Sequence, residues 1–236
     1  MQALQVLNRQ IVACRRCPRL VEYREQVARI KRRAYQDWDY WARPVPGFGD
    51  PEARVLLIGL APGAHGANRT GRIFTGDSSG DFLYRALFET GFASQPTSVT
   101  RDDGLELLDA YVTAAVRCAP PGNKPLPAEI LNCRSYLERE LELLKNIRVA
   151  IALGRLAFDV YLTILRAQGK IARRSAFVFA HGQEYQTGPG QPLLICSYHP
   201  SQQNTFTGKL TQPMLQAVFR KARRRIEQPE RQAKHN

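Results

Sequence analysis

The residues best able to do chemistry lie in a glycine-rich loop between residues 59 and 80. The loop mixes six glycines with polar and aromatic side chains, among them Asp77 and Phe74. It follows the apolar, β-branched run of residues 55–58, which is typical of a strand buried on both faces. It leads into a helix that carries an apolar stripe over residues 82–88, with Ser78 or Ser79 as the expected N-cap and Gly91 as its end. A strand, a glycine-rich turn and a helix place backbone amides at the carboxyl edge of a sheet, where anionic groups bind.

Two more polar segments follow apolar runs in the same way. Asn123 comes after a predicted strand at residues 110–117, and His199 comes directly after another at residues 193–197. With the strands at 55–58 and 148–153, this predicts an α/β fold of three α/β/α layers around a four-stranded parallel sheet. Helices are expected at 127–144, after Gly154 and at 211–226, and a hairpin at 176–186. Because parallel strands end at one edge, Asn123, His199 and the glycine-rich loop should meet there.

One of the five cysteines is expected in the core, and the other four are candidate metal ligands. Cys196 lies within an apolar run and is expected in the core. Four thiolates can complete a tetrahedral zinc site or hold an iron–sulfur cluster. Spacing alone does not choose between the two metals. The four would fasten the N-terminal helices to the main domain; they are Cys14, Cys17, Cys118 and Cys133.

Length and charge narrow the class of protein. The 236 residues suit one α/β domain over residues 1–236, with a helical segment at 1–33 that contains the Cys14/Cys17 pair and a flexible tail at 227–236. Residues 34–53 hold both tryptophans and are expected to form an ordered loop. Lys and Arg exceed Asp and Glu by 34 to 21, giving a net charge of +13 that favours a polyanionic partner. Without a long apolar run or a signal-peptide pattern, we predict a cytoplasmic protein that does not bind membranes.

Several motifs in combination resemble the uracil-DNA glycosylase superfamily. They are Cys14-x-x-Cys17, Gly59-Leu-Ala-Pro-Gly63, Gly71-Arg-Ile-Phe74-Thr-Gly-Asp77, Val116-Arg-Cys118-Ala-Pro-Pro-Gly-Asn123, Cys133 and His199-Pro-Ser201. The segments AHGANRTGR, FTGDSSGDFLY and HPSQQNTFTG are similar to its family 5, also called type B. The resemblance spans roughly residues 10 to 220. It implies a four-stranded α/β/α fold, excision of uracil from DNA to leave an abasic site, and a [4Fe-4S] cluster rather than zinc on the four cysteines.

Residue roles follow from this resemblance together with the chemistry of base excision. His199 can donate to the uracil O2 as negative charge develops, or it is only a hydrogen-bonded histidine at a strand end. Phe74 can stack on the flipped base, or it is a core aromatic. Asn123 can read the base edge, or it is a turn residue. Asp77 can orient the attacking water, or it is a helix N-cap.

Other residues are expected to line the base pocket or to contact DNA. The pocket residues are Gly59, Leu60, Ala61, Gly63 and Ala114, and the DNA-contacting residues are Arg69, Arg72, Ser201, Gln202, Asn204 and Lys209. Leu60 stands where many relatives have a water-activating residue. Ala114 stands where relatives carry an asparagine that pairs with uracil, so a broader pocket that also accepts hypoxanthine is expected.

The sequence therefore predicts a monomeric, monofunctional base-excision-repair hydrolase that acts on uracil- or hypoxanthine-containing DNA. One alternative is a type-A uracil-DNA glycosylase, against which Leu60 and Ala114 argue. The other is a noncatalytic nucleic-acid-binding module stabilised by zinc.

Overall fold

The computed structural model describes residues 2–228, which form a six-stranded sheet covered by helices on both faces. The strands are β1 (Phe48–Gly49), β2 (Val55–Gly59), β3 (Ala110–Ala114), β4 (Val149–Leu153), β5 (Glu184–Gln186) and β6 (Leu193–Ser197). The helices are α1 (Gln2–Val12), α2 (Pro18–Ile30), α3 (Ala67–Thr70), α4 (Ser78–Glu89), α5 (Pro127–Leu143), α6 (Arg155–Ala167), α7 (Gln202–Phe206) and α8 (Gln212–Glu227).

The sheet is larger than the predicted four strands, and it is mixed. Its order is β1-β3-β2-β4-β6-β5, and the four predicted strands lie parallel at its centre. Short antiparallel strands close both edges: β1 pairs with β3, and β5 pairs with β6. The predicted hairpin at 176–186 is therefore wrong, because residues 184–186 pair with β6 instead. The predicted strand at 110–117 ends at Ala114.

Burial on both faces explains the uniformly apolar central strands. All residues of β2, β3 and β4 are buried. Val55 and Leu57 pack towards α4 and α8, whereas Leu56 and Ile58 pack into a second core with α1, α5 and α6. Each such side chain contributes about 1.5–3 kcal/mol when fully buried. The three layers follow from this two-sided burial.

The strand register brings the carboxyl ends to one rim. Gly59 is paired with Ala114, and Leu153 is paired with Ser197. The segments that follow these four residues therefore leave the sheet at the same edge, as the parallel order requires. They include the glycine-rich loop and His199.

A cavity with a volume of about 810 Å³ is lined by residues of α1, α2, the connection between these helices and the segment 41–43. None of the helices in residues 2–228 is long and apolar enough to cross a membrane. Of the predicted tail, residues 229–236 lie outside the described residues, and Glu227 is the last residue of α8.

Candidate active site

Phe74 and His199 form an aromatic pair at the rim. Their ring centroids are 5.7 Å apart and the planes are tilted by 35°. Two glycines allow Phe74 this place: a Cβ on Gly59 would lie 2.7 Å from Phe74 Cε2, and a Cβ on Gly80 would lie 1.8 Å from the Phe74 carbonyl oxygen. Phe74 itself has a left-handed φ of 52° and is 7% exposed. Strained backbone of this kind persists only where the surroundings fix it, and it is frequent at functional sites.

The backbone around His199 is fixed from several sides. The Tyr198 N–H donates to His181 Nδ1 at 3.1 Å, and Asn204 Nδ2 donates to the His199 carbonyl oxygen at 2.8 Å. Gly154 lies behind the imidazole, where a Cβ would be 3.2 Å from His199 Cβ. Burial lowers the pKa of His199 to about 4, so the imidazole is neutral at neutral pH. A neutral imidazole still has one N–H to donate.

Asp77 caps helix α4 and also faces the glycine-rich loop. Its Oδ1 accepts from the Gly80 N–H at 3.0 Å, so Asp77 is the N-cap and the expectation of Ser78 or Ser79 is wrong. Its Oδ2 lies against the other wall, since a Cβ on Gly63 or Gly66 would come within 2.7 Å or 1.9 Å of this oxygen. One carboxylate oxygen thus serves the helix while the other lines the loop.

Burial is the main influence on the Asp77 carboxyl and raises its pKa. The Gly80 and Ser79 amides oppose this rise, as does the positive charge of Arg69, while Asp81 adds to it. A raised pKa makes a carboxylate a stronger proton acceptor, which is what a residue that orients or activates water requires.

Arg69 and Arg72 were predicted to contact DNA, but both side chains are buried inside the glycine-rich loop. Each is 3% exposed. Arg69 donates to the carbonyl oxygens of His65 and Gly76 at 2.8 and 2.7 Å. Arg72 forms an ion pair with Asp103 at 2.8 Å. A phosphate contact needs an accessible guanidinium, so the geometry points to internal roles for both residues.

The segment after His199 carries the exposed groups. Ser201 occupies the N-cap position of α7, and Gln202 is exposed in its first turn. Lys209 is exposed, with its ammonium 4.9 Å from the centre of the Tyr198 ring. Phe206 is 79% exposed, the largest exposure among the big apolar side chains described. Phe206 lies within residues 202–207, which the sequence predicts to press into the DNA, although it is not itself among the predicted contact residues; an aromatic residue within a run of polar ones is the signal for it.

Of the remaining predicted pocket residues, some lie beside Phe74 and others do not. Ala114 is 1% exposed and paired with Gly59, so it lies directly beside the Phe74 site. Leu60 accepts a hydrogen bond from the Val116 N–H through its carbonyl oxygen. Asn123 is exposed in a turn, with a left-handed φ of 57°. Within residues 2–228, no ring stacking or hydrogen bond joins Asn123 to Phe74 or His199.

Ala61 connects the glycine-rich loop to the cysteines. It packs against a buried group that contains Cys17, Cys118 and Cys133. The cysteine region therefore lies directly behind the loop.

Nitrogen donors surround the thiols. Arg24 is 2% exposed, and its Nη1 donates to Cys118 Sγ at 2.9 Å and approaches the Cys14 carbonyl oxygen at 3.5 Å. Asn132 Nδ2 contacts Cys17 Sγ at 3.5 Å. In the part of the chain that the structure describes, no group of three or more His, Cys, Asp or Glu side chains stands in a metal-binding arrangement. The four-cysteine cluster stays a prediction.

Comparison with known proteins identifies the family of this chain. The family model described as "Uracil DNA glycosylase superfamily" matches residues 46–223. The Type-5 uracil-DNA glycosylase of Thermus thermophilus is 55% identical over 214 residues, which cover 91% of this chain and 94% of that protein. The Type-5 uracil-DNA glycosylase of Pyrobaculum aerophilum is 47% identical over 212 residues, covering 90% and 88%. The Type-4 uracil-DNA glycosylase of Archaeoglobus fulgidus is 29% identical over 210 residues, covering 85% and 83%.

The family expected from the motifs is thereby confirmed. The match covers the rim segments described above, from the glycine-rich loop to the segment that follows His199. The chain belongs to the uracil DNA glycosylase superfamily and is more similar to these type-5 relatives than to the type-4 one.

Proposed function

We propose that this chain is a monofunctional DNA glycosylase that hydrolyses the N-glycosidic bond of uracil in DNA and leaves an abasic site for base excision repair. The observation that carries the proposal is the pairing of Phe74 with a neutral His199 at the strand rim, with the Asp77 carboxylate on the same glycine-rich loop as Phe74. The names of the type-5 relatives support the same reaction.

Base binding falls to Phe74 and His199. A uracil must leave the helical stack before its glycosidic bond can be reached. The Phe74 ring offers a stacking surface for the flipped base. The His199 N–H then donates to the O2 atom, where negative charge accumulates as the bond to the sugar breaks. A neutral imidazole suits this task because it keeps a donor without adding a full charge to a buried site.

Asp77 directs the water. Its Oδ2 packs closely against Gly63 and Gly66, whose lack of side chains leaves room for the carboxylate, and Asp77 as a whole is partly buried. From there it can orient a water towards the sugar carbon and accept a proton as the carbon–oxygen bond forms. Water is the nucleophile in this scheme, so no covalent bond between enzyme and sugar is formed.

The segment 201–209 contacts the DNA. An exposed aromatic side chain such as Phe206 can enter the space that a flipped base leaves, as apolar wedges do in other DNA-bending proteins. Ser201, Gln202 and Lys209 can contact the adjoining phosphates. The net charge of +13 supplies the general attraction to DNA.

The pocket is also expected to accept hypoxanthine. Ala114 presents a methyl group where an amide would select uracil, so a base with different edge groups leaves no buried polar atom unpaired. Hypoxanthine shares with uracil a carbonyl beside a ring N–H. Phe74 and His199 can therefore hold both bases.

The residues around the four cysteines fit a bound [4Fe-4S] cluster, with zinc as the alternative. Arg24 is a buried cation, and a buried charge requires an anionic partner. Thiolates that bind a metal supply that negative charge, whereas neutral thiols do not. Cys14, Cys17, Cys118 and Cys133 would hold the group, which would stabilise the fold behind the loop at Ala61. Monomeric state and cytoplasmic location stay predictions.

The test is base release from matched oligonucleotides. Uracil, hypoxanthine or thymine is placed at one position, in single- and double-stranded DNA, and abasic sites are read as strand scission in hot alkali. We expect scission with uracil, slower scission with hypoxanthine and none with thymine, and near loss of all scission with His199→Ala. DNA binding without any base release would favour the noncatalytic module, and uracil release without hypoxanthine release would refute the broader pocket.

A further inference from the structure

Arg69 joins the two backbone segments that enclose Asp77. Its Nη2 donates to the carbonyl oxygen of Gly76, the residue just before Asp77, at 2.7 Å. Its Nε donates to the carbonyl oxygen of His65, the residue just before Gly66, at 2.8 Å. Gly66 in turn forms the wall against which Asp77 Oδ2 lies. One guanidinium therefore connects the segment that carries Asp77 to the segment around Gly66, on the other side of the carboxylate.

The guanidinium is itself fixed between two aromatic rings. Its central carbon lies 3.9 Å from the ring centroid of Tyr35 and 3.9 Å from that of Trp38. Cation–π contacts of this kind are strongest for desolvated groups, so the two rings hold the guanidinium in place. The Tyr40 hydroxyl also bonds His65 Nδ1 at 2.9 Å, which secures the same wall. Arg69 is therefore built into the loop and is 3% exposed.

We propose that Arg69 is a positioning residue for Asp77, which sets the place and the charge environment of that carboxylate and does not touch DNA. The role presupposes the proposed glycosylase reaction, in which Asp77 directs the water. Neither the resemblance nor residue type assigned this task to Arg69, for which a phosphate contact was the expectation.

Arg69 is one of several groups that act on the Asp77 pKa. Burial and the Asp81 carboxylate raise the Asp77 pKa, while Arg69 lowers it together with the amides of Gly80 and Ser79. Loss of the Arg69 charge should raise the Asp77 pKa further. The acidic limb of the pH–rate profile should then move to higher pH.

Two substitutions of Arg69 separate the effect of its charge from the effect of its hydrogen bonds. Arg69→Met removes both the charge and the hydrogen bonds, so we expect single-turnover uracil release to fall by tenfold or more, on the scale of about 10² for an ångström of misplacement. We expect the acidic limb to move to higher pH. Arg69→Lys keeps the charge but cannot reach both carbonyl oxygens, so the rate at the plateau should fall while the limb stays in place.

DNA affinity distinguishes this role from a phosphate contact. With Arg69→Met the dissociation constant should stay within about twofold, and its salt dependence should be unchanged. The exposed Lys209 serves as the matched comparison, since Lys209→Met should weaken binding and reduce the salt slope by about one. The same weakening with Arg69→Met, without a shift of the acidic limb, would overturn the proposal.

An NMR titration of the Asp77 side-chain carboxyl carbon tests the proposal without an activity assay. The signal, assigned with Asp77→Asn, should titrate at higher pH in Arg69→Met than in wild type. If wild type releases no uracil, the proposed function fails while this titration still tests the Arg69–Asp77 relation. If Arg69→Met does not fold, Arg69→Lys decides: a reduced plateau with unchanged DNA affinity supports the positioning role, and an unchanged plateau refutes it.

Discussion

Asp77 caps helix α4, and we propose that it also directs the attacking water; a single substitution can separate the two roles. Its Oδ1 caps helix α4 through the Gly80 N–H at 3.0 Å, whereas its Oδ2 faces Gly63 and Gly66. Asparagine has nearly the same shape and caps helices as well as aspartate. Asp77→Asn should therefore keep the cap and remove only the proton acceptor. Asp77→Ala removes both and should lower the free energy of unfolding by about 0.5–2 kcal/mol.

The expected effect on catalysis is much larger than the effect on stability. Loss of a positioned general base typically slows a reaction about 10²- to 10⁴-fold. We expect a loss in this range for both variants in single-turnover uracil release with enzyme in excess. If Asp77→Asn stays within about threefold of wild type, a difference of only ~0.65 kcal/mol, then Asp77 is a helix cap and the water is directed by another group.

The stability of Asp77→Asn adds a check on the sign of the pKa shift. Burial raises the folded-state pKa of Asp77 above its unfolded value. The folded protein therefore binds the proton more tightly, and stability falls as pH rises through the window between these two values. Asparagine does not ionise, so the variant should unfold at the same or a higher temperature than wild type at pH 7. Any such advantage should vanish at pH values below both pKa values, and a clearly lower melting temperature at pH 7 would contradict the burial argument.

Three further predictions use other parts of the chain. His199→Ala should slow uracil release about 10²- to 10³-fold, as expected for loss of one donor to a developing negative charge, while DNA affinity measured by anisotropy stays within about twofold. Glu140→Ala leaves the buried Arg117 cation without its partner and should lower the free energy of unfolding in urea by about 3–5 kcal/mol; no change would show that the pair adds nothing. Cys14→Ala should lose brown colour and iron, whereas Cys196→Ala, in the sheet core, should keep both; wild type prepared without air that holds one zinc and no iron would contradict the cluster.

The local sequence pattern was sufficient to predict the central strands and the main helices. Runs such as residues 55–58 are apolar throughout because both faces of the strand are covered, and this signal lies within the strand itself. The alternation of strands and helices then predicted the common rim, since parallel strands connected by helices end at one edge. His199, Phe74 and Asp77 could thus be assigned to one region before their contacts were known. The edge strand β1 was missed because it has only two residues and no periodicity to detect, whereas β5 lies in the predicted hairpin but pairs with β6.

The sequence by itself therefore determined the α/β class, the family and the rim that carries the candidate site, because these depend on periodicity and on short motifs. Only the tertiary structure decided which groups are free and which are engaged. Arg69 and Lys209 are both basic residues near the site, yet Arg69 is enclosed by Tyr35 and Trp38 while Lys209 is exposed. Likewise, residues 77–79 are all good N-caps by type, and the cap is Asp77 in the folded chain. The physical reason is that burial and pairing arise from contacts between segments far apart in the chain, which residue type and spacing do not encode.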